Sequence, residues 1–327
     1  MTSSRVEVNV YYIVSSTYID GQKRWTEADT PPQTGRTAVV TGANSGIGFE
    51  TARVLAERGA RVFLACRDPG KAMDAARRLR RTSPDANVRV VRIDLASLGS
   101  VHKGAEELRS ACGRIDLLIN NGGVMEPPYE RTQDGFELTF ATNHLGHFAL
   151  TGLLLERLRD TPGARIVTVS SEGHARGVIN FDDLQAERDY RPDAAYYQSK
   201  LANLLFTYEL DRRLRAVGAQ TIALACHPGI VLTGLYRTRS RLERAPLSPR
   251  LRLLNFRFVQ GMQMGALPIL RAATDPAAQG SEFYGPPGRG HAGHPVRVES
   301  SARSHDEPTQ RRLWHESERL TGVTYGI

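Results

Sequence analysis

The chain carries a tyrosine and a lysine four positions apart, a spacing that suits proton-transfer chemistry. Tyr196 and Lys200 fall in a predicted helix over 194–217, so both side chains project from the same face. An ammonium group held there would favour the phenolate and lower the pKa of Tyr196 towards the working range. The alternative is an exposed pair on a solvated helix. The apolar residues that follow, such as Leu201 and Leu204, indicate instead a helix packed on a core.

A glycine-rich turn could bind phosphate groups. Residues 42–48 read Gly-Ala-Asn-Ser-Gly-Ile-Gly and join a predicted apolar strand, 37–41, to a predicted helix. Gly42 permits a tight turn, Gly46 lets the backbone approach a pyrophosphate, and Gly48 lets the helix pack closely on the strand. Free N–H groups at the helix start would then face the phosphates. A plain tight turn is the alternative, but the position after the first strand of an alternating chain favours a dinucleotide site.

The residues that follow the second predicted strand bear on the choice of dinucleotide. An acidic residue there favours a free ribose 2′-hydroxyl, whereas an arginine favours a 2′-phosphate. Arg67 directly follows the strand predicted at 60–66 and could bind a phosphate with two hydrogen bonds. Asp68 could contact the ribose or cap the next helix. We therefore predict NADP(H), with NAD(H) as the remaining possibility.

Strands and helices alternate about seven times along the chain. Strands are predicted at 37–41, 60–66, 88–95, 115–121, 164–170, 221–226 and 282–284. Helices are predicted between them, at 68–81, 97–111, 135–159, 194–217 and 262–274. Strands that are apolar throughout are those buried on both faces of a parallel sheet. The pattern predicts a single doubly wound α/β (Rossmann) domain, with a mostly parallel seven-stranded sheet and helices on both faces.

Further motifs add up to a family resemblance. Over about residues 34–323 they are Thr41 to Gly48, Asp94-Leu95, Asn120 to Gly123, Asn143, Ser170-Ser171, Tyr196 to Lys200 and His227 to Thr233. In this order they resemble the classical short-chain dehydrogenases/reductases. The runs 64–67, 142–148 and 199–203 resemble in particular the group of retinol dehydrogenases and protochlorophyllide reductases. The resemblance implies an oxidoreductase that transfers a hydride between nicotinamide and the carbonyl or alcohol carbon of an apolar aldehyde or ketone, such as a retinoid, steroid or polyketide-like compound.

The resemblance also implies a role for each matching residue. Tyr196 would be the general acid in reduction or the base in oxidation, and Ser171 would hydrogen-bond the substrate oxygen. Lys200 would bind the nicotinamide ribose, and Asn143 would hold a water that relays protons to it. Gly122 stands where the family usually has alanine, which adds flexibility. The implied cofactor-binding residues are Thr41, Gly42, Asn44, Ser45, Gly46, Ile47, Gly48, Arg67, Asp94, Leu95, Asn121, Gly122, Tyr196, Lys200, Gly229 and Thr233.

Composition excludes several other classes of protein. With 327 residues, 40% apolar and 24% charged, the chain is neither disordered nor a fibrous repeat. Three widely separated cysteines suggest neither disulfides nor zinc, and His144 and His147 have no accompanying ligand cluster, so we predict no metal. No run of about 18 apolar residues exists, and we predict a cytoplasmic protein that acts on a small molecule. The sequence leaves the oligomeric state open.

The formal net charge of +8 raises the possibility of a polyanionic partner. No base-reading motif is present, so no nucleic acid partner is expected. Residues 236–257 contain seven arginines and one glutamate, a net charge of +6. The resemblance identifies this stretch as a basic substrate-side lid within a domain spanning 34–327, which could touch an anionic membrane surface or an acidic substrate. A solvated, partly disordered loop is the alternative. Residues 1–33 are predicted to be a flexible N-terminal extension.

A protein that binds a dinucleotide without turning it over is the alternative function. Such a regulatory protein can lose its catalytic residues freely. This chain has the complete set of Asn143, Ser171, Tyr196 and Lys200. We therefore favour the enzyme.

Overall fold

The computed structural model of the chain describes residues 18–19, 22–231, 260–288 and 291–327. In these residues an eight-stranded sheet runs in the order β8-β7-β6-β5-β4-β1-β2-β3. A separate antiparallel pair joins Tyr18–Ile19 to Gln22–Lys23. The strands of the large sheet are β1 Thr37–Thr41, β2 Arg61–Cys66, β3 Val88–Arg92, β4 Leu117–Asn120, β5 Arg165–Val169, β6 Ile222–Cys226, β7 Phe283–Gly285 and β8 Val296–Arg297.

Strands β1 to β7 are parallel, and the strand order reverses at β1. In the register, Ala38 of β1 lies between Val62 of β2 and Leu117 of β4. Ligands of such sheets bind at the carboxyl ends of the strands beside this reversal. The predicted doubly wound sheet is confirmed, but it has eight strands in the described part of the chain rather than seven. The additional β8 is a two-residue strand antiparallel to β7, too short to give a pattern in the sequence.

Helices cover both faces of the sheet. Successive strand residues such as Val39 and Val40, both fully buried, point to opposite faces. Helices α1, α2 and α6 pack on one face, and α3, α4, α5 and α7 on the other. The helices are α1 Gly46–Glu57, α2 Pro69–Thr82, α3 Leu98–Ala111, α4 Gly146–Leu154, α5 Pro192–Ala216, α6 Met262–Thr274 and α7 Glu307–Thr321.

The single helix predicted over 135–159 is divided into short segments of different helix types. One α-helical turn, Leu138–Phe140, is followed by a π-helical segment, Ala141–Leu145, before α4 begins. The N–H of Gly146 bonds to the carbonyl of Ala141, five residues back, so one extra residue is accommodated. The residues 135–137 are not helical, and the prediction was wrong there because Glu137 caps the first turn through its carboxylate.

Part of the predicted N-terminal extension packs on the domain. Trp25 is only 7% exposed, and its carbonyl accepts a hydrogen bond from His294 Nδ1 at 3.0 Å. Glu27 forms an ion pair with Arg53 of α1 at 2.7 Å. The domain therefore includes residues before the predicted boundary at 34.

The described helices offer no candidate for a membrane crossing, since none of them is both long and apolar enough. The predicted basic lid, 236–257, lies outside the described residues.

Candidate active site

The glycine turn between β1 and α1 leaves space that any side chain would fill. Gly42 and Gly46 have φ angles of 65° and 61°, the left-handed region that favours glycine. A Cβ on Gly48 would lie 2.5 Å from Asn121 Nδ2 and 2.6 Å from the carbonyl oxygen of Gly42. These backbone positions suit the close approach of a pyrophosphate to the start of α1, so the residues present fit a dinucleotide.

Thr41 links this turn to the loop that follows β4. Its Oγ1 accepts hydrogen bonds from the N–H groups of Asn121 and Gly122, both at 2.8 Å. Asn121 Nδ2 donates to the carbonyl oxygen of Thr41, also at 2.8 Å. A Cβ on Gly42 would come within 2.9 Å of the Gly122 Cα. Hydrogen bonds and close packing therefore join the turn and the loop into one surface, which we call the cofactor floor (Thr41, Gly42, Asn121 and Gly122).

A cleft of about 570 Å³ lies above the cofactor floor. Most of the predicted cofactor-binding residues line this cleft, together with two cations of α2 that the sequence analysis missed, Lys71 and Arg78, and one carboxylate, Asp74. The predicted residues that line it are Gly42, Asn44, Ser45, Gly46, Ile47, Gly48, Arg67, Asn121 and Gly122. A smaller adjoining cleft of about 180 Å³ is lined by Asp94 and Leu95, at the carboxyl end of β3.

Asp68 is engaged in capping α2. Its Oδ1 accepts a hydrogen bond from the N–H of Lys71 at 3.1 Å, and its Oδ2 lies 3.4 Å from Lys71 Nζ. The backbone N–H bond is the largest cause of a lowered pKa for Asp68. The capping alternative considered from the sequence is therefore the one the structure contains.

The proposed proton-transfer residues meet at the carboxyl end of β5. Ser171 follows β5, and its Oγ accepts a hydrogen bond from the N–H of Gly173 at 3.2 Å. A Cβ on Gly173 would lie 3.5 Å from the ring of Tyr196. Lys200 Nζ lies 5.7 Å from the centre of the same ring and donates to the carbonyl oxygen of Val169 at 3.1 Å. The turn that carries Ser171 and the ammonium group of Lys200 therefore both lie near the ring of Tyr196.

The position of Lys200 inside the core weakens its charge. The side chain is buried, and this desolvation lowers its pKa from 10.5 to about 8. The cation is therefore retained near neutral pH at an energetic cost.

Asn143 lies in the π-helical segment, and its side-chain amide forms hydrogen bonds with other residues of the protein. Its Oδ1 accepts from the N–H of Val124 at 2.8 Å, and its Nδ2 donates to the Val124 carbonyl oxygen at 3.0 Å. The same Nδ2 donates to Ser199 Oγ at 3.0 Å, and Ser199 in turn donates to the carbonyl oxygen of Tyr196 at 2.7 Å. Asn143 thus connects the loop after β4 to the part of α5 that carries Tyr196.

Two buried histidines, His174 and His147, support this arrangement, a function that the sequence analysis missed, whereas a third, His144, contacts α7 instead. His174 Nδ1 donates to the carbonyl oxygen of Ser171 at 2.7 Å, and His147 Nδ1 lies 3.0 Å from the carbonyl oxygen of Asn143. His144 Nε2 lies 2.8 Å from Ser317 Oγ in α7. Among the described residues no three His, Cys, Asp or Glu side chains are grouped as metal ligands. The only sequence signal was the presence of histidine inside otherwise apolar segments.

Gly229 occupies the turn after β6. Its φ of 68° lies in the left-handed region, and a Cβ there would be 2.5 Å from the carbonyl oxygen of His291. The neighbouring N–H of Ile230 donates to that same oxygen at 2.8 Å. Thr233, the other residue predicted here, lies outside the described residues.

The fold and this site define a class of protein, an α/β oxidoreductase with a nicotinamide dinucleotide cradle at the switch point of its sheet. Residues 36–243 match the family model for short chain dehydrogenase, and the chain belongs to that family. It is an NAD(P)-dependent dehydrogenase or reductase that acts on alcohol or carbonyl groups.

The chain is similar to proteins of the retinol dehydrogenase group. The chain is 42% identical to retinol dehydrogenase 12 of Mus musculus over 291 residues, 89% of this chain and 88% of that protein. It is 41% identical to retinol dehydrogenase 13 of Homo sapiens over 315 residues, 94% of this chain and 89% of that one. The group-level resemblance expected from the sequence is therefore confirmed.

Solved structures show the same fold. An uncharacterized protein from Mycobacterium Paratuberculosis is 42% identical with a TM-score of 0.77, covering 93% of this chain and 100% of that chain. An NADP active-site complex of RhlG from Pseudomonas aeruginosa is 26% identical with a TM-score of 0.59, covering 76% of this chain and 94% of that chain.

Proposed function

We propose that this protein is an NADP(H)-dependent oxidoreductase that interconverts an apolar aldehyde or ketone, such as a retinoid, and the corresponding alcohol. The observation that carries the proposal is the grouping of Ser171, Tyr196 and Lys200 at the carboxyl end of the sheet, on which the glycine cradle also lies. The nicotinamide, when bound, donates or accepts the hydride. The protein supplies the proton and the polar contacts at the substrate oxygen.

Each of the three side chains has a separate task in this proposal. In reduction, the Tyr196 hydroxyl donates its proton to the carbonyl oxygen, and Ser171 Oγ donates a hydrogen bond to the same oxygen. The charge of Lys200 stabilises the phenolate left on the tyrosine. In oxidation the tyrosine accepts the proton instead. The water relay implied for Asn143 stays a proposal, and its side-chain contacts support a second task, holding Val124 and the backbone of Tyr196 in register.

The preference for NADP(H) rests on the cations beside the cradle. Arg67, Lys71 and Arg78 all line the cleft above the cofactor floor, and a 2′-phosphate carries the charge they would bind. Asp68, the acidic residue that could favour a free ribose hydroxyl, is occupied as the cap of α2. The NADP complex of the related Pseudomonas aeruginosa protein is consistent with this preference.

Charge removal tests the cofactor preference. Arg67→Ala should raise KM for NADPH by about tenfold or more and leave KM for NADH nearly unchanged, because only NADPH has the 2′-phosphate. Lys71→Ala should act in the same direction. Arg81→Ala is the matched control, an exposed arginine in the last turn of α2 that does not line the cleft. Equal effects on the two cofactors would contradict the assignment.

A panel of retinoid, steroid and aliphatic aldehydes and ketones with NADPH tests the reaction itself. Tyr196→Phe removes the proton donor and should lower kcat by about 10² to 10⁴-fold. Tyr197→Phe is the control, since its hydroxyl only accepts a hydrogen bond from Arg176 at 2.9 Å. Full activity of the Tyr196 variant would refute the acid role, and NADPH binding without turnover on any carbonyl would favour the regulatory alternative.

Two accompanying expectations stay predictions. We propose a cytoplasmic location, and peripheral contact with an anionic membrane through the basic segment 236–257. Sedimentation with vesicles of phosphatidylserine and phosphatidylcholine, compared with phosphatidylcholine alone, measures that contact directly.

A further inference from the structure

We propose that His147 is a positioning residue of this active site, whose ring couples the cofactor floor to the π-helical segment that carries Asn143. The proposal rests on the dinucleotide-dependent function given above. It assigns to a buried histidine a task that its sequence position alone does not reveal. The coupling passes through two hydrogen bonds of the ring, one to Thr41 and one to Asn143.

The partners of the ring determine which nitrogen carries the proton. The carbonyl oxygen of Asn143, 3.0 Å from His147 Nδ1, can only accept, so Nδ1 bears the hydrogen. The other nitrogen, Nε2, is then an acceptor, and the Thr41 hydroxyl at 2.9 Å donates to it. Donor and acceptor are therefore matched at both ends of the ring.

This tautomer leaves Thr41 with the right complement of lone pairs. Because the hydroxyl hydrogen points to His147, both lone pairs of Oγ1 are available to the N–H groups of Asn121 and Gly122. Thr41 and His147 are both fully enclosed, with exposed fractions of 0% and 1%. Water has no access to these bonds, so a donor or acceptor lost between Asn143 and Gly122 is not replaced by solvent.

Burial keeps the ring in the form that this arrangement needs. Desolvation, opposed by the Asn143 carbonyl and assisted by the nearby charge of Lys200, lowers the pKa of His147 to about 4. The neutral ring therefore persists throughout the range in which the enzyme would work. In a doubly protonated ring Nε2 would carry a hydrogen, so it could no longer accept the hydrogen bond from the Thr41 hydroxyl.

Loss of the ring would loosen both sides at once. The Thr41 hydroxyl would keep only its longer contact with the carbonyl oxygen of Ile119, at 3.2 Å, and the Asn143 carbonyl would lose its buried donor. The cofactor floor and the π-helical segment would keep the hydrogen bonds between Asn143 and Val124 but lose this direct link. We expect the affinity for the dinucleotide to fall, since the floor loses one of the contacts that orient Thr41.

His144 provides a matched control for a merely structural role. It is a buried histidine three residues earlier, its pKa is lowered to about 3 by the same desolvation, and its Nε2 contacts Ser317 of α7 rather than the cofactor floor. His144→Phe should lower the melting temperature but leave dinucleotide affinity within about twofold of the wild type.

The experiment measures the Kd for NADPH by fluorescence titration, in the absence of any carbonyl substrate. His147→Phe should raise Kd by about tenfold or more, and His147→Gln, which keeps one N–H donor and one acceptor, should recover part of the loss. Wild-type affinity in a folded His147→Phe protein, or an equal loss in His144→Phe, would overturn the proposal and leave the enzyme function intact. A wild type that binds neither NADPH nor NADH would overturn both.

A second route covers the case in which His147→Phe does not fold. Thr41→Val removes the hydroxyl that meets the ring and keeps the shape of the side chain. Combined with His147→Gln, it should raise Kd by less than the product of the two single effects, because both act on one bond. Fully multiplicative effects would contradict the coupling.

Discussion

The ammonium group of Lys200 is a costly charge to bury among the proposed catalytic side chains. It lies beside the ring of Tyr196 and donates a hydrogen bond to the carbonyl oxygen of Val169. That oxygen also accepts from Asn203 Nδ2 at 3.1 Å, so it keeps a partner if the lysine is replaced. A buried cation held at the expense of stability is expected where function, rather than folding, determines the residue, as the proposed role of Lys200 requires.

The pH dependence of stability tests this cost. Below about pH 8 Lys200 is charged in both states, and burial destabilises the folded protein by roughly 3 kcal/mol, from a pKa lowered to about 8. Between about pH 8 and 10.5 the folded state has lost the proton and the unfolded state has not, so stability increases with pH. Lys200→Met should therefore be more stable than the wild type at about pH 7, and the advantage should shrink by about pH 10.

Urea unfolding of the cofactor-free proteins at both pH values provides the measurement. Lys103→Met, which removes an exposed lysine of α3, should change stability by at most about 0.5 kcal/mol at either pH. A constant difference between Lys200→Met and the wild type across the range would show that the cation carries no burial cost.

Individual residues differ in how far the sequence reveals them. The spacing of Tyr196 and Lys200 predicts that both lie on one helix face, and the position of Asp68 before a helix predicts a helix cap. No sequence pattern places Lys71 in the cofactor cleft, because its position there depends on how α2 packs along that cleft. The role of His147 could not be predicted, because its hydrogen-bond partner Thr41 is 106 residues away and nothing in the sequence identifies the partner of a buried histidine.

The π-helical segment is the element that the sequence pattern conceals. Apolar residues recur on both sides of Ala141–Leu145 as they would in a regular helix, and one added residue changes the direction of Asn143 without changing composition. Such segments occur often at functional sites. The strands and longer helices were predicted well because their burial repeats over several residues, whereas this change involves a single turn.

The join between β1 and α1 gives an element-scale prediction. Gly48→Ala would place a methyl group 2.5 Å from Asn121 Nδ2 and 2.6 Å from the Gly42 carbonyl oxygen, and would therefore displace the cofactor floor. We expect KM for NADPH to rise by about tenfold or more, measured by steady-state kinetics. In Gly113→Ala, where nothing lies within 4 Å of the added methyl, the same constant should not change. Equal behaviour of the two variants would contradict the close approach.

The whole molecule is organised around one sheet shared by two helical layers. The alternation of strands and helices predicts this architecture. It does not predict the docking of Trp25, which precedes the regular pattern and contacts His294, 269 residues away. Contacts of that range depend on the assembled surface and leave no local signal. They make the start of the domain and its later segments parts of the same core.

The two tryptophans of the chain report on the two layers separately. Trp25 packs in the layer of α1, and Trp314 in the layer of α7, where its ring lies 5.9 Å from Phe206 and 4.5 Å from Tyr325. Because both layers pack on the same strands, neither can be released without unfolding the sheet. In Trp25→Phe and in Trp314→Phe, the fluorescence of the remaining tryptophan should therefore change at the same denaturant concentration as the circular dichroism of that variant. A tryptophan that becomes exposed well before the circular dichroism is lost would mean that its layer unfolds independently of the sheet.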